Sequence, residues 1–345
     1  MPAAKMCFVI VFVYISASFG CEDSELPLIS YQVSYNATYR ETLKLQTITT
    51  LSGVVIDVVH QFIPKLCCKM INFSQELNSV NFNSCNIGEI ESCFSENIRD
   101  IKSEIAIVNN RITTIRTDTF RNLSVQVILL EHNSIKRIED AAFNHLPNLE
   151  RLRLNNNHLK ILNPNAFEKT PKLQCLYLYC NDITFLQESA LAFFQQPDVF
   201  ISLLSNSISN LNQQFLKDLP PQIRLSLDLT NNNIKRLDKD IFSNHVLTNL
   251  ELGYNPLVEI DTDFCNRSCT IERFTASCGN LDNSSAAFLF EWIKINKVDF
   301  TAQNCTLYNF SETKFRKPVK CKGSRTNYSI ILLATGCLIM FLMPF

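Results

Sequence analysis

The chain has 345 residues, enough for one large core or two ordinary ones, and a formal net charge of −1, so no whole-chain field draws it to nucleic acid. Charged residues make up 19%, Phe is abundant (25) and Gly scarce (7), which argues against a glycine-rich phosphate loop and against many turns of positive φ. No G-x-S-x-G, H-E-x-x-H or Walker loop occurs, so no catalytic set, cofactor or metal site is expected.

Residues 1–20 read as a secretory leader. Lys5 supplies the positive start, Met6 to Ile15 is an apolar run of ten, and Ser16, Ala17, Ser18 and Gly20 are the small residues a peptidase accepts. Ten apolar residues are too few to cross a bilayer, which takes about 20. Residues 21–76 form an N-terminal cap region. There Ile29, Tyr31, Val33 and Tyr35 alternate as in a strand, and Val54 to Phe62 is a short apolar run, read as an unusual cap or a decayed repeat.

Residues 77–264 repeat. From Leu149 the sequence runs L-E-R-L-R-L-N-N-N-H-L-K-I-L, and from Leu173 it runs L-Q-C-L-Y-L-Y-C-N-D-I-T-F-L. Both fit L-x-x-L-x-L-x-x-N-x-L. The asparagine recurs at Asn110, Asn133, Asn157, Asn181, Asn206, Asn232 and Asn255, with Cys85 in the same place in the first repeat and a spacing of 23 to 26 residues. Two residues later come Ile112, Ile135, Leu159, Ile183, Ile208, Ile234 and Leu257, and ten later Phe120, Phe143, Phe167, Leu191, Leu216 and Phe242. One such unit cannot bury its own apolar face. Stacked units can, with the L-x-L segments as short strands of a parallel sheet and the asparagine bonded to the backbone of its turn.

Residues 265–322 form a cysteine-rich cap and stalk, with a helical segment from Phe288 to Ile295 that contains Trp292, and a basic stretch from Lys314 to Arg325 at its end. Residues 323–345 end in an apolar run, Ile330 to Phe345, with no charge after it. That suits a tail removed on attachment of a glycosylphosphatidylinositol anchor at Gly323 or Ser324, the alternative being a minimal single span. Twelve cysteines lie outside leader and tail, an even number that suits an oxidising compartment. Cys67, Cys68, Cys85 and Cys93 are expected in disulfides at one end, and Cys265, Cys269, Cys278, Cys305 and Cys321 at the other; Cys175 and Cys180 stand apart, near the surface. Sequons at Asn36, Asn72, Asn122, Asn266, Asn283, Asn304 and Asn309 add to the secretory reading, and an eighth, at Asn327, abuts the apolar tail.

With these motifs the chain resembles the extracellular leucine-rich-repeat proteins of animals, cell-surface or secreted, with cysteine-rich caps. The resemblance covers Leu77 to about Cys321. It implies an α/β solenoid, a leucine-rich-repeat horseshoe of roughly eight to nine repeats with a concave parallel β-sheet and disulfide-stapled caps, and ligands bound on the concave face. The caps depart from the family pattern. Asn255-Pro256 is followed by Leu257 rather than Trp, and Ile271, Phe274, Ala276 and Leu281 suggest a further degenerate repeat.

The register names the side chains that leave the sheet on the concave side. In the middle they are Leu129, Arg151, Arg153, Tyr177 and Phe200, with Tyr179 just beyond its strand, and exposed aromatics and Arg are what binding hot spots are made of. The expectation is a membrane-tethered recognition or adhesion protein at the cell surface. It would bind an extracellular protein or glycan, not nucleic acid, and would signal through a co-receptor. Innate-immune recognition of microbial ligands, and a matrix organiser whose basic stalk holds acidic glycans, are the alternatives.

Overall fold

The computed structural model describes residues 10–15, 29–32, 45–50, 53–60, 62–67, 77–98, 100–266 and 268–303. By its contacts the chain divides into two compact units: residues 1–153 with 165–172, and residues 154–164 with 173–345. Each is a parallel β-solenoid.

In the first unit the strands Gly53–Val59, Leu77–Asn83, Glu104–Val108, Val127–Leu129 and Arg151–Arg153 pair in that order, all parallel. Ahead of them Ile10–Ile15, Ile29–Gln32 and Leu45–Thr50 pair antiparallel, so the Ile10–Ile15 part of the expected leader's apolar run is a strand, while the rest of residues 1–20 lies outside the described residues. In the second unit Cys175–Tyr177, Asp198–Ser202, Arg224–Asp228, Val246–Leu252, Arg273–Ser277 and Asp299–Gln303 pair in parallel in sequence order.

The asparagine column sets this register. Asn206 donates through Nδ2 to Leu178 O (3.0 Å) and Leu203 O (2.9 Å) and accepts at Oδ1 from the Ile183 N–H (3.0 Å). Asn181, Asn232 and Asn255 do the same in their turns. In the first unit Asn110 bonds to Phe82 O, Val108 O and the Cys85 and Ile87 N–H groups. Each asparagine thus satisfies buried polar backbone in two successive turns, which would otherwise be orphaned.

The column also shows a turn that the leucine pattern hides. Cys85 is a buried thiol, not a disulfide as expected. It stands in the ladder and donates to Val58 O (3.2 Å) and Asn83 O (3.4 Å), as an asparagine Nδ2 would. The turn it leans on runs through the buried residues Ile56, Val58, Ile63 and Leu66, in register with Val80, Phe82, Ile87 and Ile90. Residues 54–66 are therefore a repeat with Gln61 at the asparagine position of the sequence. At the other end Phe274, Ala276 and Leu281 make the suspected further turn, with Gly279 at the asparagine position, and Asp299–Gln303 begins one more.

Scarce glycine does not mean few positive-φ turns. Among the described residues 21 non-glycine residues have φ above zero. Seventeen of them fall in columns: one residue before the asparagine or its Cys85 equivalent (Ser84, Asn109, His132, Asn156, Cys180, Ser205, Asn231, Tyr254), eight after it (Asp118, Ala141, Ser189, Asp240) and twelve after it (Asn122, His145, Lys169, Asp218, Asn244). Each such residue costs about 1 kcal/mol or more, and the cost is tolerated because bonds to the next turn over-determine the conformation. Ser205 N–H to Thr230 O, at 2.9 Å, is one of these bonds.

The core is columnar as well. Phe120, Phe143 and Phe167 stack at 5.4 and 5.6 Å in the first unit. In the second, Phe264 meets Phe242, Phe288 and Trp292, the last at 5.0 Å. The helix Asn283–Asn296 covers that end, as the sequence suggests. Asp282 caps it by accepting from the Ser285 N–H (2.7 Å), Lys297 ends it at φ 54°, and Ala286, Leu289 and Ile293 are buried. Cys265 and Cys269 are bonded to each other, and Cys67, Cys93, Cys175, Cys180 and Cys278 are also in disulfides. Cys68, Cys305, Cys321, Gly323, Ser324 and the sequons at Asn36, Asn72, Asn304, Asn309 and Asn327 lie outside the described residues. Among the described residues no helix is long and apolar enough to cross a membrane.

Asn206→Ala strips three buried backbone groups of their partner and should lower unfolding free energy by about 3 kcal/mol in denaturant titration. Cys85 should react with a thiol reagent only after unfolding; labelling of the native protein at Cys85 would contradict its place in the ladder.

Candidate functional site

Alternation along each strand places one set of side chains in the core and the next on the open sheet face. That face differs between the two units. In the first it is a polar, half-exposed surface. Asn81 donates to Asp57 (2.6 Å), and burial pushes the Asp57 carboxyl up while the Asn81 bond pulls it down. Glu104, Val127 and Arg151 lie side by side in register, as do Ala106, Leu129 and Arg153. Val127, Leu129, Arg151 and Arg153 are all part-exposed.

Charges frame the Val127–Leu129 pair. Arg153 lies 3.8 Å from Glu131, with side-chain exposures of 17% and 13%. Burial pushes the Glu131 carboxyl above the ordinary range, against the pull of Arg153, and Glu131 Oε2 is buried with no hydrogen-bond partner. Burial raises Glu104 too, opposed by Arg153 and then Arg151. Burial holds the neighbouring His132 below the usual histidine range. Two arginines and two partly desolvated carboxylates around a small apolar patch can take a ligand that brings an apolar contact and its own hydrogen-bond donors.

In the second unit the same face is closed. Cys175, Tyr177 and Phe200 are 1%, 6% and 5% exposed, and Tyr179 packs against them. The Tyr177 and Phe200 rings are 5.4 Å apart and tilted. The exposed aromatics expected at Tyr177 and Phe200 are thus a small core on the outer side of the sheet. Cys175 and Cys180, expected near the surface, are buried (1% and 4%) and disulfide-bonded. Tyr179 alone of these three aromatics remains part-exposed.

In the same row as Tyr177, Ser202, Asp228 and Glu251 align across neighbouring strands. Asp228 accepts from Ser202 Oγ (3.2 Å) and the Thr230 N–H (3.0 Å), and Asn249 donates to Glu251 (2.8 Å). Burial, reinforced by the Glu251 carboxylate, pushes the Asp228 carboxyl up to about 7. The repeat register alone places these residues on the sheet face but does not show their chemistry, which depends on how deeply Asp228 sinks. No group of metal-binding side chains occurs among the described residues.

Residues 103–159 and 124–183 match the sequence profile described as "Leucine rich repeat". Residues 103–183 therefore carry leucine-rich repeats. The fold of the chain is similar to that of Toll in the Drosophila Toll–Spatzle complex, at 18% identity over 66% of this chain and 31% of that one, with a TM-score of 0.55. The glycosylated form of that complex gives 17% identity, coverages of 72% and 37% and a TM-score of 0.52. The TLR13–ssRNA13 complex matches at 21% identity, 73% and 44% coverage and a TM-score of 0.41. The chain spans under half the length of each of these structures. No curated protein matches the sequence at a significant level.

Phe200→Ala should destabilise by about 3 kcal/mol in denaturant, as a core truncation does, whereas Arg151→Glu, with its side chain 35% exposed, should leave stability within about 0.5 kcal/mol. Asp228 holds its proton more tightly folded than unfolded. Its contribution to stability is therefore complete below the ordinary aspartate range and is lost as pH rises through about 7. Asp228→Asn should raise the unfolding midpoint at pH 8 and change it little at pH 4; equal effects at both would contradict the buried, protonated carboxyl.

Proposed function

We propose that this chain is an extracellular recognition protein that binds a protein ligand on the open sheet face of its first unit. The observation that carries this reading is the row Val127–Leu129 flanked by Arg151 and Arg153 and backed by Glu104 and Glu131, an apolar centre with charged neighbours held rigidly on paired strands. The similarity to Toll, solved in complex with Spatzle, is in keeping with a protein ligand.

The leader at residues 1–20 and the anchor at Gly323 or Ser324 belong to the same reading: the protein reaches the cell surface and is tethered by lipid, so that signalling passes through a co-receptor. The part-exposed Tyr179 offers the second unit an aromatic contact of its own.

The full chain displayed on cells should bind a member of an arrayed set of secreted and surface proteins. Arg151→Glu and Leu129→Asp should each weaken that binding about tenfold or more, while Lys235→Glu, on an exposed turn of the second unit, should not. Binding that survives both face variants would overturn the choice of face. Phosphatidylinositol-specific phospholipase should release the protein into the medium; retention at the surface would exclude the lipid anchor.

A further inference from the structure

The twelfth residue after the asparagine builds a second feature. In three consecutive turns of the first unit this residue is Asn122, His145 and Lys169, all with left-handed φ (54°, 53° and 58°). Two residues on, the same turns carry Ser124, Pro147 and Pro171. With Leu123 these residues line an open hollow of about 330 Å³. Its floor is apolar, formed by the ring faces of Pro147 and Pro171 over the fully buried Leu123. Its rim is polar and fixed. Lys169 Nζ donates to His145 Nε2 (2.8 Å), His145 Nδ1 donates to Asn144 Oδ1 (2.6 Å), and Asn144 Nδ2 donates to Asp118 (3.0 Å). The Asp118 carboxylate can only accept, so it orients the whole relay: Asn144 must turn its oxygen to His145, and His145 must carry its proton on Nδ1.

Asn122-Leu123-Ser124 is a sequon, and both its asparagine and its hydroxyl residue stand on this rim. Asn122 is exposed and its N–H is bonded to Asn144 O (3.1 Å), so the side chain leaves from a fixed point at the edge of the hollow. We infer that the hollow is the seat of an N-glycan carried by Asn122, whose first sugar rings lie back over Pro147 and Pro171 and hydrogen-bond to Lys169 and Ser124. This rests on the extracellular reading, because attachment needs the secretory pathway. There Asn122 Nδ2 attacks the anomeric carbon of a lipid-diphosphate-linked oligosaccharide; the N–C bond forms, the C–O bond to the diphosphate breaks, and the amide proton passes to the transferase's base. A sugar ring has one apolar face and a hydroxyl edge, which matches a floor of prolines with a polar rim. Being tethered, it meets the hollow at high effective concentration and needs little intrinsic affinity. The exposed sequons at Asn266 and Asn283 do not line this hollow. A seated glycan closes this flank of the first unit and leaves the open sheet face for ligand.

The full chain, made in animal cells, is mapped by mass spectrometry for sugar at Asn122, Asn266 and Asn283 and then treated with peptide-N-glycosidase, native and denatured. Native release at Asn122 should be about tenfold slower than at Asn283. The two rates should converge on denaturation and also in the natively folded double variant Lys169→Ala/Pro147→Ala. Equal native rates, or slow release unchanged in that variant, would overturn the seat. So would sugar at Asn266 or Asn283 with none at Asn122, which leaves the secretory reading intact. No sugar at any of the three would remove that reading as well.

Discussion

Everything in this fold hangs on one buried amide per turn. A strand that pairs with the turns on either side has satisfied its own hydrogen bonds, but the bend that leaves it has not. A side chain that both donates and accepts in the dry interior must close that bend. Asparagine is the shortest residue that can do so in two turns at once, and the Asn206 bonds to Leu178, Leu203 and Ile183 show the pattern in full. Once the amide is placed, the residue before it is forced to positive φ, the strand register is fixed and the phenylalanines ten residues on fall into a stack. The ladder tolerates substitution only where part of the task remains. Cys85 keeps the donor role. Where the register reaches Gly279, which has no side chain, the helix Asn283–Asn296 takes over the neighbouring backbone, and Ser285 Oγ accepts from the Ile260 N–H (3.0 Å).

A face built this way is rigid, and what it can bind depends on whether its side chains cover one another. Cys175, Tyr177 and Phe200 do so, because the Phe200 ring stands across from Cys175 and diagonal to the Tyr177 ring, and the three exclude water together. Val127 and Leu129 are too short for that, and their neighbours are charged. The result is one segment whose apolar surface is already used up within the molecule and another whose surface remains available. The buried Asp228 is a further case of coverage changing chemistry: the residue type is ordinary for a surface strand, and its titration is not.

Much of this was legible in the sequence. The columns at Asn110 through Asn255 fix period, strand positions, core and face, because each column obeys one physical demand. The helix with Trp292 and the extra turn through Phe274 were also within reach. Ile56, Val58, Ile63 and Leu66 stand at the standard offsets, and that turn is hidden only because Gln61 replaces the asparagine. What the sequence could not show is two-dimensional. Whether Tyr177 is exposed depends on what stands beside it on the next strand, and whether Cys85 pairs depends on what lies beneath it. Counting glycines misled for a related reason, since backbone strain is decided by the surrounding bonds and not by the residue alone.

That the sheet face is covered in the second unit and available in the first is the claim on which the functional reading stands. Hydroxyl-radical footprinting of the full chain tests it directly, with each residue's oxidation rate in the folded protein divided by its rate when unfolded. Tyr177 and Phe200 should be strongly protected, while Leu129 and Val127 keep a substantial fraction of their unfolded reactivity. Tyr177 and Phe200 oxidising as freely as Leu129 would mean that the aromatic segment is open, and the ligand face would have to be moved there.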